Sequence, residues 1–297
     1  MTLECTAARE GKLLSFLRRE LGMSAGLVKR LKFKNCFFVD GEPAFTDRKI
    51  LPGQKITVLV RENTQEDFTP EDTPLHILYE DDSLLAVDKP AGVIVHPTFY
   101  RTEGTLLTAV MGYYARTGQD CAVHAVNRLD RDTLGIVLFA KNSHVHGLCY
   151  KMQLAGIFRK TYHALCLGAP QTDEGRIDLP IARVDGGSLL REIRADGLSS
   201  QTDYRVLRRE NGFSLLELHP LTGRTHQLRL HCMAEGFPIV GDPQYATEAS
   251  RAVSARFGFT GQQLAAVELA FSHPMTGEET VIRAASDVFL PDSGKNG

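Results

Sequence analysis

Residues 124–142 read HAVNRLDRDTLGIVLFAKN and place Arg128, Asp130, Arg131 and Asp132 directly before an apolar run. Carboxylates and guanidiniums on one short turn suit either solvation or chemistry. The turn feeds straight into Gly135–Ala140, so at least one of these charges is expected to be half buried and to need a partner. Asp130 is the candidate carboxylate. Three further stretches carry candidate groups. FRKTYHALCLG (158–168) places Tyr162 on an alternating strand, where a lone tyrosine usually belongs to the core or its rim. GFSLLELHPLTGRTHQLRLHCMAEG (212–236) runs from strand through a Thr-Gly-Arg turn into a helix. Arg224 lies at that junction, where functional side chains are often presented, and Arg229 follows five residues on. LAVDKPAGVIVHP (85–97) reads as a strand, a tight Lys89-Pro90-Ala91-Gly92 turn and a second strand.

Metal chemistry is not favoured. His226 and His231 are five apart, not the four that align two ligands on one helical face, and they read as capping and packing residues. Asp130 and Asp132 could form a DxD site for a metal-dependent glycosyl transfer, but Arg128 and Arg131 flank them and no other acidic cluster completes the shell. A glycoside hydrolase using both acids is geometrically awkward on one turn, and the chain has no tryptophan for a sugar platform.

The elements that would hold these groups follow from periodicity. Residues 11–21 and 25–34 have helical spacing, with Ser24 as N-cap of the second helix. CFFVDGEPAF reads as a hairpin with an Asp-Gly turn, and LPGQKITVLV as turn and strand. TLLTAVMGYYAR, HVHGLCYKMQLAG and THQLRLHCMAEG read as helices; GIVLFAKN, KTYHALCLG and the two segments joined by Asn211-Gly212 read as strands. The body is thus α+β with a mainly antiparallel sheet.

Charge separates the chain into parts. Residues 1–60 hold eleven Lys/Arg against six Asp/Glu, whereas residues 62–88 carry nine acids and no Lys or Arg. The expected domains are 1–61, a small basic α+β unit; 62–74, an acidic linker; and 75–297, the body. The formal net charge of the 297-residue chain is -2, with 43% hydrophobic and 24% charged residues, ordinary for a globular protein. The six cysteines form no CxxC pair and sit mostly in apolar runs, as free thiols in a reducing cytoplasm would. No apolar leader opens the sequence, and no stretch is long enough to span a membrane.

Together NRLDRDTLGIVLFAKN, KTYHALCLG, LTGRTHQLRLH and LLAVDKPAGVIVHP resemble the RluA/RluD-type pseudouridine synthases, over roughly residues 75 to 285. Residues 10–61 resemble an S4-like RNA-binding module through the basic helix pair and the VDGEP hairpin. The resemblance implies an isomerase acting on uridines in structured RNA, large-subunit ribosomal RNA before transfer RNA, with no cofactor or metal. It implies that Asp130 is the catalytic carboxylate, that Arg128 wedges into the RNA as the uridine flips out, that Tyr162 stacks on the base, and that Arg224 pairs with Asp130. Arg18, Lys29, Arg30, Lys32 and Lys34 would contact phosphates, and a cytoplasmic monomer is expected. A non-catalytic RNA-binding protein of the same fold is the alternative. Two positions depart from the family pattern: Asn127 stands where His is usual, and Leu134 where Ser is usual.

Overall fold

The computed structural model describes residues 1–60, 68–98, 100–186 and 190–288. The N-terminal unit consists of β1 (Thr2–Thr6), β2 (Gly11–Lys12), α1 (Leu13–Arg19), α2 (Ala25–Leu31), β3 (Phe37–Val39), β4 (Glu42–Pro43), β5 (Lys49–Ile50) and β6 (Lys55–Leu59). Leu13, Phe16, Leu17, Leu27, Val28 and Leu31 turn one face of each helix onto a core shared with Phe37, Val39, Ile56 and Val58. Ser24 caps α2 as its sequence predicts, its Oγ accepting from the Leu27 N–H at 3.1 Å. Asp40 and Gly41 both have positive φ, 52° and 86°, which is the turn geometry that an Asp-Gly pair tolerates between β3 and β4. β1 was not legible as a strand; it pairs antiparallel with β6 along its whole length.

The body begins with β7 (Ile77–Glu80), β8 (Leu84–Lys89), α3 (Leu106–Thr117), β9 (His124–Ala125), β10 (Leu134–Ala140) and α4 (Ser143–Leu154). It continues with β11 (Arg159–Leu167), β12 (Glu174–Asp178), β13 (Ile181–Arg183), β14 (Arg191–Ile193), β15 (Gln201–Glu210) and β16 (Phe213–Pro220). α5 (Gln227–Ala234), α6 (Glu248–Phe257), β17 (Leu264–Ser272) and β18 (Glu279–Arg283) complete it. The main sheet runs β12-β15-β16-β11-β17-β10-β8-β7, with β18 on β17 and β9 on β10. The fold is therefore α+β, as the sequence reading has it, and every main-sheet pairing among the described residues is antiparallel except β10 with β17. That parallel seam is two residues long, Leu134↔Ala265 and Gly135↔Ala266, and it joins two antiparallel half-sheets.

Gly135 shows how tightly the seam closes. Its φ is +102°, and a Cβ there would stand 2.2 Å from the Ala266 carbonyl oxygen. On one side of the sheet Leu85, Val87, Val137, Phe139, Ala164 and Leu216 pack under α3. On the other, Ile136, Leu138, Leu269 and Phe271 pack against Val145 and Cys149 of α4.

Two segments differ from the sequence reading. Among the described residues no strand follows the Lys89 turn. Instead the Ile94 and Val95 carbonyls accept from Leu106 and Leu107 at the start of α3. The acidic stretch 62–74 is partly built into the body, and its first residues lie outside the described ones. Phe68 packs on the main core, and the Glu71 carboxylate accepts from the Gly104 N–H and the Thr108 hydroxyl at 2.8–3.0 Å. Gly112 of α3 lets the Glu71 backbone approach, since a Cβ would sit 1.9 Å from its carbonyl oxygen. Acidic composition alone does not distinguish a free linker from one whose carboxylate caps a helix. The N-terminal unit also touches α4: Arg30 Nη2 donates to Ser143 Oγ at 2.8 Å and Lys151 Nζ to the Gly22 carbonyl at 2.9 Å.

Candidate active site

Asp130 stands in the loop between β9 and β10, at the mouth of the parallel seam. Its side chain is 28% exposed. The guanidinium beside it belongs to Arg229, on α5, whose Nη1 donates to Asp130 Oδ2 at 2.8 Å. Asp130 Oδ1 takes no hydrogen bond among the described residues, so Arg229 tethers one oxygen of the carboxylate and not the other.

Arg224 does not make this contact. It is exposed on the turn before α5, where its Nε donates to the Ser199 carbonyl at 3.2 Å. The reason is helical geometry. Arg224 precedes α5 and follows the turn outward, while Arg229 lies within the helix, which is buried almost all round. A guanidinium 4% exposed must have partners, and Arg229 has three. Nε and Nη2 grip the buried Asp242 bidentately at 2.7 and 2.8 Å, Nη2 also donates to Gln244 at 2.9 Å, and Nη1 reaches Asp130. Its plane lies 5.0 Å from the Tyr245 ring centroid. Burial pulls the Arg229 pKa down, but the bonds and charges of Asp242 and Asp130 outweigh it and hold it above the ordinary guanidinium value. Burial likewise raises Asp242, yet the Arg229 bonds win and keep it below the usual carboxylate range. Asp242 is fixed in turn by the backbone N–H groups of Gln244 and Tyr245, at 2.8 and 2.9 Å. The GDPQY stretch (241–245) is the part of the site that the sequence reading missed.

Tyr162 on β11 is 9% exposed and shares the core under α3. Burial, and then the Asp130 charge, push its hydroxyl above the ordinary phenol value, so it stays protonated. Arg128 is exposed and makes no hydrogen bond or ion pair among the described residues.

The loop carrying Asp130 is held from two directions. Lys89 is fully buried, and its ammonium donates to the carbonyls of Pro90, Val93 and Arg131 at 2.8–2.9 Å. These bonds curl the 90–93 segment around the cation, which is why no strand forms there. Burial pulls the Lys89 pKa down to about 8, against the upward pull of Asp132 and Asp130. From the other side, Asn127 clamps β10: its Nδ2 donates to the Ile136 carbonyl at 3.0 Å and its Oδ1 accepts from the Leu138 N–H at 2.8 Å. The first family departure thus serves as a backbone clamp. Leu134, the second, begins β10 at the seam.

Arg131 and Asp132 pair with each other at 2.9–3.0 Å, the structural share of the cluster. Asp130 accepts from Arg229 and Asp132 from Arg131, so a guanidinium already sits against each carboxylate of the DxD pair. Among the described residues no group of three or more His, Cys, Asp or Glu is arranged to hold a metal.

A carboxylate gripped by a buried arginine, beside a protonated tyrosine at the seam of a ten-stranded sheet, coincides with a family match. The family model described as RNA pseudouridylate synthase matches residues 83–234. The uncharacterized RNA pseudouridine synthase YlyB of Bacillus subtilis is 35% identical over 243 residues, 81% of this chain and 78% of that one. Ribosomal large subunit pseudouridine synthase D of Xanthomonas campestris pv. campestris is 36% identical over 259 residues, 84% of this chain and 77% of that one. Among solved structures, human RNA pseudouridylate synthase domain containing 1 superposes with a TM-score of 0.60 at 29% identity, covering 74% of this chain and 86% of that one. The chain belongs to the RNA pseudouridine synthases of the RluA/RluD type. It is accordingly an isomerase that acts on uridine in RNA. Among the described residues, no helix is long and apolar enough to cross a membrane.

Proposed function

We propose that Asp130 is the catalytic carboxylate of a base-flipping uridine isomerase whose targets lie in structured RNA, with large-subunit ribosomal RNA the favoured class. The observation that carries this is the Arg229 bridge: one guanidinium binds buried Asp242 bidentately and offers its remaining edge to Asp130. Pseudouridylation breaks the N1–C1′ bond and forms C5–C1′; a proton leaves C5 and N1 gains one. The product is an isomer, so one ionised carboxylate, acting as nucleophile or base, is enough. The guanidinium at 2.8 Å fixes the carboxylate in place, and tethering Oδ2 alone leaves Oδ1 to meet the nucleotide.

Arg128, exposed at the rim, enters the RNA stack as the uridine leaves, and Tyr162 stacks on the displaced base and takes part in proton transfer. Extrusion costs a few kcal/mol, which cation and aromatic contacts offset. Residues 1–61 form the S4-like RNA-binding domain, residues 75–297 the catalytic domain, and the protein works as a monomer in the cytoplasm. Arg18, Lys29, Arg30, Lys32 and Lys34 lie on exposed positions of the N-terminal unit and contact phosphates. Relatives named for the ribosomal large subunit support that substrate class.

The test is to map pseudouridine by carbodiimide-based primer extension in total RNA from a strain lacking the protein, after incubation with wild type or Asp130→Asn. Wild type alone should restore discrete stops. Identical maps from the two proteins sink the assignment of Asp130.

A further inference from the structure

His226 caps α5 in an unusual way. It has φ 59° and ψ 19°, a left-handed conformation sparsely used by residues other than glycine, and its side chain makes no capping bond to the helix. Instead Nδ1 lies 2.8 Å from the Tyr245 hydroxyl. That hydroxyl already accepts the Arg191 backbone N–H at 2.8 Å. Burial, first of all, keeps the Tyr245 phenol protonated, and its one proton needs an acceptor. Nδ1 is the acceptor at hand. The neutral ring then carries its own proton on Nε2, and Nε2 stands 4.0 Å from Asp130 Oδ2.

That separation is too long for a direct hydrogen bond, but one atom can lie about 3 Å from both groups. The site is asymmetric: Asp130 is an acceptor and Nε2–H a donor. A carbonyl oxygen would be repelled by the carboxylate, and an amide N–H by the imidazole N–H. A hydroxyl satisfies both, donating to Asp130 and accepting from His226. An internal nucleotide of RNA has one hydroxyl, because its 3′ and 5′ oxygens are phosphodiesters.

We propose that His226 and Asp130 together hold the 2′-hydroxyl of the flipped nucleotide, with Tyr245 fixing the His226 tautomer. This rests on the assignment of Asp130 to the reacting site and deepens it: the clasp makes the centre select ribose over deoxyribose. No covalent step is added. The hydroxyl is bound on both of its functions while the glycosidic bond beside it is remade.

The experiment crosses the protein with the substrate. An RNA stem-loop carrying a mapped target is prepared with uridine or with 2′-deoxyuridine at that one position. Both are given to wild type, His226→Asn and His226→Gln. Asn tolerates the left-handed backbone but cannot reach the Nε2 position, whereas Gln places an amide N–H near it. With wild type, removing the 2′-hydroxyl should lower kcat/KM by about 10- to 100-fold, the worth of a hydrogen bond to a charged group. With His226→Asn the same deletion should cost much less, His226→Gln should fall between, and thermal midpoints should match wild type. Where turnover of the deoxy RNA falls below detection, the same comparison is read from Kd. An equal penalty in all three proteins overturns the clasp. A wrong role for Asp130 would appear separately, as Asp130→Asn retaining turnover of the all-ribose RNA.

Discussion

Arg229 has two aspartate partners, and the structure assigns them opposite consequences. Asp242 is fully buried, and its two oxygens take four bonds: Arg229 Nε and Nη2, and the N–H groups of Gln244 and Tyr245. In Asp242→Asn one amide oxygen can keep three of these, but the amide nitrogen must then face the Arg229 Nε–H, donor against donor. Breaking a buried pair by removing one partner costs about 3–5 kcal/mol, and here Arg229 keeps only the partly exposed Asp130 as a charged partner. For a chain of this size that lowers the thermal midpoint by roughly 6–20 °C. Asp130→Asn differs. The side chain is 28% exposed, its amide oxygen still accepts from Nη1, and Arg229 keeps Asp242. Its stability should change by no more than about 1 kcal/mol while pseudouridine formation is lost. Calorimetry of both variants, with pseudouridine mapping alongside, separates the two roles. An Asp242→Asn protein melting within about 2 °C of wild type would refute the reasoning, since Arg229 would then not need its buried counter-ion.

Acid should act through the same pair. The folded pKa of Asp242 is depressed, so its contribution is complete above the ordinary value of 3.8 and is lost as pH falls through the folded value. Acid titration by circular dichroism should show Asp242→Asn lacking that part of the wild-type loss. Gly135→Ala adds a Cβ 2.2 Å from the Ala266 oxygen at a positive φ, and should destabilise by more than about 2 kcal/mol in chemical denaturation. Lys89→Met leaves three carbonyls without their donor and should lower both the denaturation midpoint and the rate, each carbonyl costing about 1–3 kcal/mol. Alanines at Lys29, Lys32 and Lys34 together should leave melting unchanged and weaken RNA binding. The slope of log K against log salt should fall by about 0.7–0.9 per lost phosphate contact, and an unchanged slope would remove the N-terminal unit from the RNA interface.

Much of this was readable from residues 1–297 because period and punctuation agreed. Ser24 caps a helix, Asn211-Gly212 turns a hairpin with both φ positive, and Gly156 follows α4. The apolar run from Gly135 is the seam strand. Asp130 and Tyr162 stand out as candidates only because four motifs occur together. The structure pairs Asp130 with Arg229 rather than with Arg224, and the reason is physical. Arg224 and Arg229 share one motif, and only helix burial decides between them. α5 buries Gln227, Arg229 and His231 beside Leu228 and Leu230, so its sequence shows no clean apolar stripe to say which charge faces in. Asp242, which makes Arg229 affordable in the interior, lies in a loop with no periodicity at all. Likewise, nothing in the composition of residues 68–74 distinguishes Glu71 as a cap from Glu71 as a solvated charge.

The two-residue seam between β10 and β17 also sets an order of events in time. Leu134 and Ala265 are far apart in sequence, and Asp130 finds Arg229 across 99 residues. As the chain leaves the ribosome, the β7–β8 hairpin and then its pairing with β10 can form before α5 exists. Long loops close last because their entropy must be met before their contacts form. Asp130 is therefore translated well before the arginine that grips it. The contact between Asp130 and Arg229 must wait until α5 has been made, and the seam until β17 has been made and has zipped onto β10.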